Sequence, residues 1–288
     1  MVSLQSKVAL VTGANAGLGF ETAKALYLRG ATVIAAGRNP QRVRDAIARI
    51  GASGAGGKLV AGDLDLASLA SVRAFAQKII EDFERLDLLV NNAGVMIPPE
   101  AKSEDGYEIQ FGINYIGHFA LTGLLFPLLE KTSGARVVTL SSLAHRGANI
   151  DFDNFRLEKP YQKWREYGQS KLADLIFATE LAKRLEAKGC QLKSLAAHPG
   201  FSKTELQTHM DADTLASLDM MTAEQGAQPS LTAALSPDAE NGQYWGPNGE
   251  GERSGEPGLA KIDEAARDAA SNARLFDWTQ ETLGIHFP

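Results

Sequence analysis

The chain has 288 residues, 44% hydrophobic and 22% charged, with a formal net charge of −6. That size and balance suit a soluble globular chain of one large α/β domain or two smaller ones. The acidity, with no basic tract, argues against a nucleic-acid binder. The single cysteine, Cys190, excludes an internal disulfide and a cysteine-rich zinc site, and the five histidines show no metal-ligand spacing.

Met1 to Lys7 is short and polar, so no signal peptide is expected and a cytoplasmic enzyme is the default. Val8 to Thr12 is an apolar strand. Gly13, Gly17 and Gly19 follow it, and a helical pattern continues through Ala23, Leu26 and Leu28. Glycine permits positive φ and lets another molecule approach where a Cβ would stand. A helix beginning at such a loop turns unpaired N–H groups and its positive dipole end into the same space, which suits a pyrophosphate. Gly19 is followed by Phe20 and Glu21, not by Lys and Ser or Thr, so the loop is not a P-loop.

Strand and helix then alternate with short connections. Strands are expected at 32–36, 58–61, 87–90, 136–140 and 192–197, and helices at 40–50, 67–84, 105–129 and 167–188. The longest apolar run, Phe119 to Leu129, is interrupted by Pro127 and too short to span a bilayer, so it is expected as a buried helix. All-apolar strands between helices predict an α/β fold: a single doubly wound Rossmann-type domain, its central parallel sheet covered by helices on both faces. Further on, 201–225 is apolar without one clean period and 242–258 is rich in Gly, Pro and Glu. Residues 261–283 are expected as a final amphipathic helix.

Tyr167 and Lys171 lie four apart on a predicted helix and so share one face. A phenol of pKa ~10 is a poor proton shuttle at neutral pH, and a nearby ammonium can lower it by ~1–3 units. Ser141-Ser142 closes one apolar strand and His198-Pro199-Gly200 another, both at carboxyl ends, where open α/β sheets bind ligands. Asn114 sits mid-helix, where asparagine is locally unfavourable.

With the glycine loop and these residues in this order, the chain resembles the short-chain dehydrogenase/reductase family from about Lys7 to Thr204. The long Ser142–Tyr167 spacing, Ser142-Leu-Ala-His145, Asp151-Phe-Asp-Asn154 and Tyr167-Gly-Gln-Ser-Lys171-Leu-Ala-Asp174 resemble its branch of retinol dehydrogenases and protochlorophyllide reductase-like enzymes. The resemblance implies that Thr12, Gly13, Gly17 and Gly19, with Asn15, Ala16 and Leu18 between them, hold a dinucleotide pyrophosphate. It puts Asp63 and Leu64 at the adenine, and Asn91, Ala93 and Gly94 along the adenosine-ribose side, where this segment also steadies the central sheet. Pro199, Gly200 and Thr204 would receive the nicotinamide amide. Asn114, Ser142 (rather than Ser141), Tyr167 and Lys171 match the catalytic tetrad, with Tyr167 and Lys171 also touching the cofactor and no metal required.

Cofactor choice is expected from the second strand, which ends Ala36-Gly37-Arg38 with Arg42 nearby. An NAD site places a carboxylate there, whereas a guanidinium pairs with a 2′-phosphate, so NADP(H) is preferred over NAD(H). The implied reaction is hydride transfer between nicotinamide and a small-molecule carbonyl or alcohol. Phe152, Phe155, Tyr161 and Trp164, in the insert 146–166, either flank a lipophilic substrate or pack the insert down. Tyr244-Trp245 and the last helix would cap the site or pack a homo-oligomer. A non-catalytic dinucleotide-binding regulator and a nucleotide-sugar-modifying relative are the alternatives.

Overall fold

The computed structural model describes residues 3–211, 213 and 219–288. At its centre is an eight-stranded sheet of order β3-β2-β1-β4-β5-β6-β7-β8. Its first six strands are β1 (Val8–Thr12), β2 (Thr32–Gly37), β3 (Lys58–Asp63), β4 (Leu88–Asn91), β5 (Arg136–Leu140) and β6 (Lys193–Ala197). The edge adds β7 (Tyr244–Pro247), parallel to β6, and β8 (Pro257–Leu259), antiparallel to β7. The expected central parallel sheet is present, extended at one edge by the antiparallel β8. The Gly- and Pro-rich stretch that ends it has no apolar run to mark strands; β7 and β8 are held by pairing, not by propensity.

Central strands carry apolar side chains toward both faces, as a sheet covered twice requires. On one side, α1 (Gly17–Leu28), α2 (Pro40–Gly51), a short helix α6 (Ala223–Gly226) and α7 (Gln228–Leu235) complete a core with Leu26, Val43, Ile50 and Leu231. The other side is covered by α3 (Leu69–Asp82), α4 (Gly117–Glu130), α5 (Lys163–Ala187) and α8 (Ala269–Leu283). The strand order reverses between β1 and β4, which opens a crevice at their carboxyl ends.

The helix expected over 105–129 starts later and is not uniform. Asp105 lies before it and accepts from Leu69 N–H at the start of α3. Glu108 is the true cap, its carboxylate accepting from the N–H groups of Gln110 and Phe111 at 3.0 and 2.7 Å. Phe111–Ile116 then winds as a π turn, with Gly117 N–H reaching back to Gly112 C=O. From there α4 runs through Pro127 to Glu130 without stopping. The joined segment 111–130 is long and apolar enough to cross a membrane by composition, and 89% of its most apolar stretch is buried in the protein.

Glu108 is fully buried, and burial, against the pull of those N–H groups, pushes its carboxyl up to about 7. A raised acid pKa means the folded state binds the proton more tightly. Glu108 thus contributes most to stability below about 4.5, and that contribution is lost as pH rises through about 7. Glu108→Gln removes the titration and gives up one N–H acceptor. Its melting temperature should trail wild type by several degrees near pH 5 and close on it near pH 8, following a linkage of a few kcal/mol at most. A gap that stays constant with pH would contradict this.

The final helix is shorter than expected, since 264–267 is a 3-10 turn before α8. Neither α8 nor Tyr244 caps the crevice. Phe276 of α8 and Phe287 of the tail pack on Phe119 and Phe177, with ring centroids 5.0–6.4 Å apart. A Cβ on Gly123 would stand 2.5 Å from Ile285, so that glycine lets the tail lie against α4. Tyr244 is buried in the sheet edge beside His145 and His198.

Candidate active site

At the switch point the glycine loop closes around β4. Gly13 and Gly17 take φ of +66° and +53°. A Cβ on Gly13 would stand 2.9 Å from Ala93 Cα, and one on Gly19 would stand 2.4 Å from both Asn92 Nδ2 and Gly13 O. Only a bare backbone fits there. Around it lies a cleft of about 420 Å³. Thr12 to Leu18, Gly19, Arg38, Leu64, Ala93, Gly94 and Thr204 reach its wall, apart from Ala14. Asp63 does not; its neighbour Asp65 does. Asn91 is buried inside the sheet, donating to Thr122 and Thr139, so it steadies strands and lines nothing.

Thr12 owes its place to a hydrogen-bond chain that sequence reasoning missed. Its Oγ1 accepts from the N–H groups of Asn92 and Ala93 at 2.9 and 3.0 Å. It donates in turn to His118 Nε2 at 2.8 Å, and His118 Nδ1–H donates to Asn114 C=O at 2.7 Å. Burial pushes His118 down to about 3, so it is neutral and this tautomer is the one the chain requires. The glycine loop is thereby wired to Asn114. His118 stands four residues after Asn114, and that spacing was the only available signal.

Asn114 is fully buried. Its Oδ1 accepts from Val95 N–H at 2.8 Å, and its Nδ2 donates to Val95 C=O and Ser170 Oγ. This fixes the 94–96 turn against α5. Lys171 Nζ donates to Leu140 C=O at 3.1 Å and to Asp174 Oδ2 at 2.8 Å. A Cβ on Gly94 would lie 3.2 Å from Asn114 Oδ1 and 3.6 Å from Lys171 Nζ, so these groups converge on one point of the cleft's inner end. Burial pulls the Lys171 ammonium down, but the charges of Asp174 and Tyr167 outweigh it and hold it above its ordinary value.

The two serines separate cleanly. Ser141 Oγ donates to Lys171 C=O at 2.7 Å and is spent tying β5 to α5. Ser142 begins a short 3-10 turn, accepting from Ala144 N–H at 3.2 Å, and among the described residues its hydroxyl proton has no acceptor. Tyr167 is 4% exposed and packs with Met96 and Ile97, flanked by Ala144, Leu206 and Met210. The β-branched Ile97 adopts φ +47°, a strained position held by its N–H donating to Gln110 Oε1. Gln110 Nε2 in turn donates to Tyr161 Oη and Lys163 C=O.

The insert's aromatics therefore divide. Phe155 stacks on Phe111 at 4.5 Å and meets Trp278, while Phe152 lies beside Phe155 and under Arg274. Tyr161 Oη donates to Pro98 C=O. These three pack the insert down, and Trp164 alone stands half exposed, its ring 6.2 Å from Tyr167.

At the far end of β6, Gly200 takes φ +60°, and a Cβ on it would meet Arg253 C=O at 2.4 Å. His198 Nδ1 accepts from Gly200 N–H and its Nε2 donates to Glu252, which shapes the Pro199-Gly200 turn. Burial pushes His198 down to about 4. Pro199 and Gly200 do not reach the cleft wall, whereas Thr204 sits over Gly17 and caps the 3-10 segment Glu205–His209.

A glycine-built cleft at the switch point, with Lys171 and Asn114 meeting at Gly94 on its wall, is an arrangement suited to an oxidoreductase of the nicotinamide-dependent class. The short chain dehydrogenase family matches residues 7–215, and the chain belongs to it. It is 38% identical to mouse retinol dehydrogenase 14, over 98% of this chain and 87% of that protein. With human retinol dehydrogenase 13 it shares 39% identity over 95% of this chain and 85% of that one. Among solved structures, an uncharacterized protein from Mycobacterium paratuberculosis superposes with a TM-score of 0.85 at 38% identity, covering 100% of this chain and 97% of that one. A Pseudomonas aeruginosa RhlG complex with NADP superposes at 0.66 and 28% identity, covering 84% and 94%.

Proposed function

We propose that the protein is an NADP(H)-dependent reductase or dehydrogenase of lipophilic carbonyl and alcohol substrates, worked by Tyr167, Lys171, Ser142 and Asn114. The observation that carries it is the convergence of Lys171 and Asn114 on Gly94 at the inner end of the cradle, with Tyr167 beside them in an apolar pocket. The cleft walled by Thr12, Gly13, Asn15 to Gly19, Ala93, Gly94 and Thr204 would hold the pyrophosphate and the ring beyond it. Bound there, the dinucleotide supplies or accepts the hydride. Tyr167 delivers the proton to the carbonyl oxygen, or removes it from the alcohol. Ser142 donates its free hydroxyl proton to that oxygen, where negative charge develops. Lys171 stabilises the Tyr167 phenolate and holds ribose hydroxyls, and Asn114 fixes the turn that positions both.

Met96, Ile97, Ala144, Leu206 and Met210 around Tyr167, with Trp164 at the rim, support a lipophilic substrate. The similarity to retinol dehydrogenases points the same way. NADP(H) is supported at Gly37, which puts no side chain where an NAD site carries its carboxylate, and where a Cβ would crowd Asn15 Oδ1 at 2.9 Å and Val43 at 3.1 Å. Asn39 caps α2, accepting from Gln41 and Arg42 N–H, which fixes Arg38 and Arg42 at the cleft mouth. Arg42 pairs there with Glu205, an exposed bond that a phosphate can replace at little cost.

Cofactor titration of Arg38→Asp tests this reading. NADPH affinity should fall about 30-fold or more and NADH affinity less than about threefold, matching the loss of one charge-assisted pair worth ~2 kcal/mol. Equal losses for the two would overturn the NADP(H) assignment.

A further inference from the structure

The ammonium of Lys171 is one of the most deeply buried charges in the protein, its side chain 6% exposed, and its partner Asp174, one turn further along α5, is 2% exposed. The ammonium has three protons. Leu140 C=O takes one and Asp174 Oδ2 another, which leaves a single donor for the side where Gly94 and the cleft lie. Asp174 Oδ1, by contrast, is buried with no hydrogen-bond partner among the described residues. A buried carboxylate with half its acceptors unused is costly, and a well-packed apolar residue would serve the core better. Its presence is explained by what it does to Lys171.

We propose that Asp174 is a positioning residue: its carboxylate is the fixed counter-ion that keeps the Lys171 ammonium charged and turned so that its one remaining donor meets the cofactor and Tyr167. The proposal rests on the role given to Lys171 above. Without the carboxylate, burial is opposed by Tyr167 alone and favours the neutral amine, and a neutral Lys171 neither holds a ribose hydroxyl as strongly nor stabilises a phenolate. The titratable groups around the pair are Tyr167 on its own helix and Tyr115 and His118 from the π turn and α4 opposite; burial pushes the Asp174 carboxyl itself up to about 7 against the pull of Lys171, so its counter-charge is read above pH 7. Tyr115 is pushed up by burial and is bonded to Thr279, and His118 is neutral, so neither replaces the lost negative charge.

Asp174→Asn keeps the size of the side chain and removes its charge. NADPH binding, followed by fluorescence, should match wild type within about threefold near pH 7. Between about pH 7 and about pH 9.5 the dissociation constant of the variant should rise at least about tenfold, against less than about threefold for wild type. A pH dependence in the variant parallel to that of wild type, whatever the offset, would assign Asp174 a merely structural role and overturn the proposal. Failure of wild type to bind NADPH would instead overturn the cofactor reading beneath it. Should Asp174→Asn not fold, wild type decides alone. The Lys171 Cε resonance, assigned by its loss in Lys171→Met, must stay at its protonated position to about pH 10, and titration below about pH 9 would sink the idea.

Discussion

Gly19→Ala should raise the dissociation constant for NADPH about 100-fold or more, equivalent to about 2.7 kcal/mol. The added Cβ would lie 2.4 Å from Gly13 O and 2.8 Å from Gly13 C, backbone atoms that have no slack. Gly13 cannot retreat, because a Cβ on it would already crowd Ala93 Cα at 2.9 Å. Nor can Asn92 yield freely, since its Nδ2 holds Thr12 C=O at 2.7 Å and so sets the mouth of the loop. The loop must open, and the N–H groups it aims at a pyrophosphate lose their common focus. Gly189→Asn is the control: φ is +69° and nothing stands within 4 Å of its Cβ, so asparagine should fit with affinity unchanged. Both variants should remain folded by thermal melting. Wild-type NADPH affinity in Gly19→Ala would contradict the cradle.

Much of this was written in local signals. Apolar strands between helices gave the doubly wound sheet, because every central strand is covered twice and reads as a continuous hydrophobic run. The glycine loop and the Tyr167–Lys171 pair were legible because their residue types and spacings are local in the sequence. What stayed hidden depends on partners distant in sequence. His118 links Thr12 to Asn114 across 106 residues, and nothing around a histidine in an apolar helix announces that bond. Gln110 pins both Ile97 and the insert at Lys163. Asp105 looked like a helix start and instead caps α3 across 36 residues, leaving that task to Glu108. Phe152 and Phe155 were equally readable as pocket wall or packing, and their contacts with Phe111, Trp278 and Arg274 decide for packing. The resemblance alone picks Ser142 over Ser141; that Ser141 Oγ is taken up by Lys171 C=O could not be read from the sequence.

The central claim is that one phenol moves the proton while a hydride passes at the adjacent carbon. Tyr167 is held for this by the apolar wall of Met96 and Ile97, and by Lys171 one helical turn away. Removing its hydroxyl takes away a general acid, a contribution of about 10²–10⁴ in rate, and leaves the wall and the fold intact. The decisive measurement is the single-turnover rate of NADPH oxidation by a lipophilic aldehyde in wild type and Tyr167→Phe. A loss within that range, with NADPH affinity changed less than about threefold, is the result expected. Reduction by Tyr167→Phe at the wild-type rate, with folding and cofactor affinity unchanged, would contradict it.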